Sequence, residues 1–158
     1  YSSAASDVYK RQEIYSAAKT PFEIRSGSEK VTRRFFKICN NGRESFTGLY
    51  KSLTEQGICK GHQCIAYGLY MRDNGIELSE GLAVYGYSIC SAIVTNCVKL
   101  VPLSQLAGQK ILGKSFELIS SASEKALFTD INDIGISGAG FDLRAMQHER
   151  LYSRQYMS

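Results

Sequence analysis

Cys59, His62 and Cys64 form a C-x-x-H-x-C cluster, and thiolates combined with an imidazole are soft ligands for zinc or nickel. A structural metal site normally needs four ligands, and His148, the other histidine of the chain, lies far away in sequence. The pattern therefore favours incidental thiols near the start of a helix over a metal site. A thiol or metal enzyme built on this cluster stays open as the weakest of three functional interpretations.

A second group of candidate residues is basic. Four positive side chains recur at i, i+3, i+4 and i+7, which places them on one helix face: Lys30, Arg33, Arg34 and Lys37. Such a face could bind phosphates or an acidic protein surface, although four charges without interleaved aromatic residues are more often a solvated face. A small basic nucleic-acid-binding or regulatory domain is therefore the alternative function.

Catalytic arrangements are not apparent in the sequence. With 2 histidines, no Ser/His/Asp set or paired-carboxylate site can be assembled, and no G-x-x-x-x-G-K-[ST] phosphate loop is present. The net charge of +4, from 19 basic and 15 acidic residues, is mild for a dedicated nucleic-acid binder. These observations predict a protein that is not an enzyme.

Two glutamines stand out after Pro102. Gln105 and Gln109 are four residues apart and so share one face of a helix. Buried amides must be hydrogen-bonded, so this pair indicates either an internal polar network or a recognition surface.

The elements that position these residues are predicted to be helices, which makes the fold all-α with a single helical-bundle domain. Thr20, Pro21 and Glu23 resemble a helix start with a capping box, and 40–42 would end that helix. Apolar residues at helical spacing predict a second helix from Phe46 to Gly57, and a third that ends at 73–75.

A long helix is predicted from Leu78 to Leu100, followed by a break at Pro102 and a further helix. Residues Gly81 to Val98 carry no charge, which imitates a membrane span. Their polar and aromatic content favours a buried central helix that is surrounded by protein.

Length and composition are those of one ordinary folded domain, with 158 residues of which 44% are hydrophobic. No secretory signal is visible, and the odd cysteine count lacks the spacing of a disulfide framework. We therefore expect a cytoplasmic protein with reduced, mostly packed thiols at Cys39, Cys59, Cys64, Cys90 and Cys97.

The ends of the chain differ from its middle. Residues 1–12 resemble a translated sequencing-adaptor tract and are expected to be a non-native artefact, which leaves 13–140 as the helical domain. Residues 134–140 are small and flexible in type, and 141–158 form a tail rich in Arg, Tyr and Met. Such a tail is either disordered or docked on a partner.

Two separated segments, Val94 to Gln109 and Met146 to Ser158, resemble signature segments of the urease accessory protein UreF family, especially its epsilonproteobacterial forms. His62, with the Tyr67–Gly68 pair, resembles the family's H-x-P-V-x-F-G element, and Pro21 to Arg34 resembles its E-L-R helix. The similarity covers Glu13 to Ser158. The family's N-terminal F-P-x-G-x-Y-x-H-S-x-G-L-E motif is absent, so the chain is expected to be a fragment.

The resemblance implies a non-enzymatic, all-α scaffold that dimerises. Such a protein binds UreD (UreH in some bacteria) and recruits the GTPase UreG to apo-urease for nickel insertion. Nickel would be handled by the complex, so no cofactor is expected in this chain.

Site residues are implied by position within the matching motifs. Tyr152, Ser153 and Arg154 match the Y-S-R tail motif, and His148 with Glu149 matches H-E. In the segment from Val94 to Gln109, the resemblance implies partner binding by Lys99, Gln105 and Gln109. Alternatively, Lys99 merely complements a helix C-terminus. Two positions depart from the family, Cys64 in place of proline and Gln155 in place of leucine.

Overall fold

The computed structural model describes residues 2–39, 42, 44–134 and 138–152, with only the backbone for 2–8 and 131. Over these residues the chain forms seven α-helices, one short 3-10 helix and no strand, which confirms the predicted all-α class. The helices are α1 (Ser2–Ala18), α2 (Phe22–Ile38), α3 (Phe46–Glu55), α4 (Gln63–Asp73), α5 (Leu78–Leu100), α6 (Gln105–Leu127) and α7 (Ala139–His148), and the 3-10 helix is Ile131–Asp133.

The chain divides into two compact units. The first, termed the mixed unit, comprises Tyr1–Asp73 and Ile131–Ser158; the second, termed the hairpin unit, comprises Asn74–Asp130. The predicted boundaries at 140 and 141 fall inside α7, so the tail from 141 onward begins within a helix. The small-residue stretch 134–140 lies partly outside the described residues, at 135–137.

Helix α1 includes residues of the 1–12 tract, which is expected to be a non-native artefact. Gln12 is fully buried. Its side-chain nitrogen donates to the Ile58 carbonyl at 3.4 Å, and its side-chain oxygen accepts from the Lys60 N–H at 2.7 Å. The artefact origin of residues 1–12 stays a prediction, but the structure places Gln12 among the packed residues of the mixed unit.

The start of α2 differs from its predicted capping box. Pro21 is the N-cap residue and α2 begins at Phe22, with no side-chain cap from the N-cap residue. The helix thus starts one residue later than a Thr20 cap requires, and Glu23 is one position too early for the reciprocal bond. The Glu23 N–H instead donates to the Glu149 carboxylate at 3.3 Å, so a distant residue takes over the role of the cap.

The core of the mixed unit forms where α2, α3 and α4 meet, around Phe36, Tyr50, Cys59 and Ala66. Helix α3 ends as predicted, since Gly57 adopts a φ of 74° that side-chain-bearing residues rarely adopt. At its start, the Asp73 carboxylate accepts from the N–H groups of residues 46 and 47 at 3.0 and 2.8 Å. These bonds tie the end of α4 to the beginning of α3.

The hairpin unit consists of α5 and α6 packed side by side. The Ser104 hydroxyl accepts from the Ala107 N–H at 3.1 Å and caps α6, just after the predicted break at Pro102. A Cβ at Gly108 would lie 2.6 Å from a Val98 methyl carbon. The missing side chain at this position therefore lets the two helices approach closely.

Helix α5 is not the buried central helix that the sequence predicts. Only 6% of its most apolar 18-residue window is buried, and Val84 and Ile93 are 64% and 57% exposed. The physical reason is that α5 is apolar around most of its circumference, whereas its neighbour α6 covers a single stripe. Among the described helices, α5 alone is long and apolar enough to cross a membrane, by length and composition only.

Candidate functional site

The described part of the tail docks on α2 of its own unit. His148 Nδ1 lies 2.6 Å from a carboxylate oxygen of Glu23, and the Glu149 carboxylate accepts the Glu23 N–H. Two adjacent side chains of the tail thus hold the first turn of α2. This arrangement holds the end of α7 against the start of α2.

Tyr152, which follows the contacts of His148 and Glu149 with α2, is fully exposed. A free tyrosine ring offers a large contact area at low entropic cost, which suits a protein interface. The remaining predicted tail residues, Ser153 and Arg154, and the departure at Gln155 lie outside the described residues. Their role as partner-binding residues stays a prediction.

The other predicted partner-binding residues lie on the hairpin unit. Lys99 is exposed in the last turn of α5, where its charge also suits the helix C-terminus. Gln105 and Gln109 are exposed on one face of α6. Their exposure contradicts an internal polar network, and a recognition surface at this pair stays a prediction.

The cluster around His62 is buried and hydrogen-bonded rather than open. The imidazole is fully buried, and its Nε2 lies 2.7 Å from the Ser16 hydroxyl. The His62 backbone N–H donates to the Tyr50 hydroxyl at 2.9 Å, and the Tyr15 ring meets the imidazole edge-on. Its Nδ1 has no hydrogen-bond partner among the described residues.

Electrostatics keep this cluster uncharged. Burial, followed by the nearby positive charges of Lys19, Arg25 and Lys60, lowers the pKa of His62 to about 4. Burial also raises the pKa of the Cys59 and Cys64 thiols. The thiols are therefore held in the protonated form, which binds metals poorly.

The described residues bring no three potential metal ligands together, so Cys59, His62 and Cys64 do not assemble into a ligand cluster. All five cysteines are free thiols. Cys59 alone is buried, three are half-buried and Cys97 is exposed on α5, so the expected packing holds only in part.

Sequence reasoning missed the partners of these residues. Ser16 carried no signal, because a lone serine in a helix has no distinguishing pattern. Glu23 was noted only as a local capping residue, whereas it is the anchor for the tail. Both interactions join positions more than 40 residues apart, which local spacing does not reveal.

The chain thus combines an all-α fold with exposed polar and aromatic candidates for protein contacts. A family model described as UreF matches residues 2–115. The chain belongs to the UreF family. The match begins within the tract that the sequence analysis set aside as an artefact.

Curated relatives agree with this assignment. Proteins named urease accessory protein UreF from Streptococcus thermophilus, an Arthrobacter species and Actinobacillus pleuropneumoniae are 29%, 31% and 33% identical to the chain. The alignments cover 86%, 92% and 90% of this chain and 58%, 65% and 63% of the relatives. The chain therefore spans about three fifths of the length of these relatives.

Proposed function

We propose that the chain acts in urease maturation as a non-enzymatic scaffold. In this role it binds UreD (UreH in some bacteria) and recruits the GTPase UreG to apo-urease, so that nickel enters the urease active site. The family match over residues 2–115 carries the proposal. The scaffold would act in the cytoplasm, would hold no cofactor of its own, and as part of a longer protein would form a homodimer.

The described geometry supports a contact through the tail. His148 and Glu149 anchor the end of α7 on α2, and this leaves Tyr152 exposed directly after the anchor. A partner that binds the tail would therefore meet a segment that is held in place at Glu149, and a contact that is positioned beforehand costs less entropy on binding. Arg154 would add a planar set of donors for a carboxylate or a carbonyl.

Copurification tests this proposal. The chain would be co-expressed with its cognate UreD, as the native sequence, as Arg154→Ala and as a truncation that ends at Tyr152. The truncation keeps α7 and its anchor, so it removes the tail end without disturbing the described fold. A matched control is Arg144→Ala, which removes an exposed arginine from α7.

We expect the native chain and Arg144→Ala to be retained by UreD, and the other two variants to lose at least about ten-fold in retention, as for a central interface arginine. Retention of all four proteins would remove Arg154 from the site. A native chain that UreD does not retain, while a full-length relative is retained, would contradict the proposed activity for this chain.

A further inference from the structure

We propose that a groove along α2 of the mixed unit binds an acidic peptide segment of a partner protein. The groove consists of two adjoining cavities of about 640 and 460 Å³ that share Arg33 and Thr54 as lining residues. The inference rests on the geometry of this unit alone and does not depend on the proposed function. The lining of the two cavities includes no residue of α5, α6 or α7.

The charge of the groove is strongly positive. Its lining holds five basic residues against two acidic ones, Glu29 and Glu55: the basic residues are Arg25, Arg33, Lys37, Lys51 and Lys60. Glu29 offsets Arg33 only weakly, since the closest N–O distance is 3.8 Å and the Arg33 side chain is largely exposed. Among the described residues, no carboxylate forms an ion pair with the three lysines.

The positive potential also reaches into the unit. Lys60 and Arg25 are among the charges that lower the pKa of the buried His62. Arg25 is held in place, because its Nη1 donates to the carbonyls of Lys19 and Thr20, at 2.6 Å in each case. A fixed guanidinium loses little freedom when a carboxylate binds to it.

The spacing of the charges indicates an elongated ligand. Arg25 and Lys37 are 12 positions apart in α2, with Arg33 between them, which corresponds to about 18 Å along a helix axis. An extended peptide of about six residues covers this length. A single phosphate ion would instead need donors that converge on one point, whereas Arg25 lines one cavity and Lys37 lines the other.

The remaining lining favours a peptide over a nucleic acid. Phe22, which is 62% exposed, provides an apolar contact at one end of the groove, and Ser16 and Ser26 add hydroxyl groups. Single-stranded nucleic acids need successive aromatic platforms, whereas the lining holds two separated rings, Phe22 and Phe36, of which Phe36 is buried. A duplex is bound through its outer phosphates and does not fit inside a groove of this size.

The test uses a fluorescein-labelled octapeptide of glutamate with leucine at its third and sixth positions. Its binding to the whole chain would be followed by fluorescence anisotropy. We expect saturable binding that weakens at least about five-fold between 20 and 200 mM salt, because screened charges lose attraction. A matched peptide with glutamine in place of glutamate should not bind.

Two double variants distinguish peptide binding by the groove from binding by the overall positive charge of α2. Arg33→Gln with Lys37→Gln removes two lining charges, and Lys30→Gln with Arg34→Gln removes two exposed charges of the same helix that do not line it. We expect about a ten-fold or larger loss of peptide affinity in the first variant and about two-fold or less in the second. All four side chains are exposed, so both variants should keep the melting temperature of the native chain.

Three results would overturn the proposal. The first is the absence of saturable peptide binding at low salt. The second is an equal loss of affinity in both double variants, which would leave only a diffuse charged face. The third is tighter binding of a 20-base-pair DNA duplex than of the peptide, which would favour nucleic acid as the ligand.

Discussion

His62 is held neutral because its imidazole is fully buried and three cationic side chains lie nearby. Its neighbours use the neutral ring, since the Ser16 hydroxyl lies at hydrogen-bond distance from Nε2. A charged imidazole would be desolvated and would face Lys19, Arg25 and Lys60 without a described carboxylate partner. His62, a candidate metal ligand in the sequence, is therefore a packing residue. Its protonation would destabilise the folded chain.

This environment predicts a dependence of stability on pH. The pKa of His62 is about 4 in the folded chain and 6.5 in its ordinary state. Above pH 6.5 both states are neutral, and between pH 6.5 and 4 the unfolded chain alone takes up the proton, so acidification favours unfolding. We expect a loss of about 2 kcal/mol in the free energy of unfolding between pH 7 and pH 5, measured by urea denaturation.

The two histidines of the chain provide the control. His62→Gln removes the titrating group, so most of this loss should disappear even if the variant is less stable throughout. His148→Gln, which alters an exposed residue, should keep it. An unchanged pH dependence in His62→Gln would show that another group is responsible.

At the scale of elements, Gly108 determines how closely α5 and α6 pack. A Cβ there would lie 2.6 Å from Val98 Cγ2 and 3.3 Å from Val94 Cγ1. Valine is stiff at χ1, so these methyl groups cannot easily move aside. In the sequence this glycine lies inside the family-like segment Val94 to Gln109, and its packing role emerges only from the helix pair.

Gly108→Ala should therefore destabilise the hairpin unit by about 1 to 2 kcal/mol, because the clash exceeds the gain in helix propensity. Gly113→Ala is the matched control, since Gly113 is also inside α6 and a Cβ there meets nothing within 4 Å. That variant should gain about 0.5 to 1 kcal/mol. Thermal unfolding followed by circular dichroism measures both, and a stabilised Gly108→Ala would contradict the close approach.

The sequence predicted those helix ends that nearby glycine and proline residues determine. Gly57 and Gly75 end α3 and α4 with positive φ angles of 74° and 65°, and Pro102 separates the two long helices, as expected. The predicted start of α2 was wrong because the Glu23 N–H donates to Glu149, from the opposite end of the chain. Caps supplied from a distance leave no trace in local spacing.

The same limit applies to the candidate site. The sequence correctly placed Lys99 at the end of α5, and Gln105 and Gln109 on one face of the helix that follows Pro102. It did not predict that His148 and Glu149 would both contact Glu23, since that contact depends on how α7 packs on α2. Nor did it predict the groove, which combines α2 with residues of α3 and of the loop before α4.

At the scale of the whole molecule, the largest unexplained feature is the exposed apolar surface of α5. A helix that is apolar around most of its circumference is ordinarily enclosed by protein or lipid, and water contact with such a surface is costly. Val84 and Ile93 represent this surface on α5. The chain spans about three fifths of the length of its relatives, and within that span only α6 covers α5 in the hairpin unit.

We therefore expect the chain to associate with itself at micromolar concentrations, as large exposed apolar patches promote. Val84→Lys combined with Ile93→Lys should lower the apparent mass in sedimentation velocity toward that of the 17.5 kDa monomer. Ser120→Lys with Ser121→Lys adds the same charge on exposed positions of α6 without removing apolar surface, and should leave association nearly unchanged. If the native chain is a monodisperse monomer that unfolds cooperatively, the α5 surface tolerates water, and association through it is excluded. If both double variants dissociate equally, net charge rather than apolar contact governs the assembly.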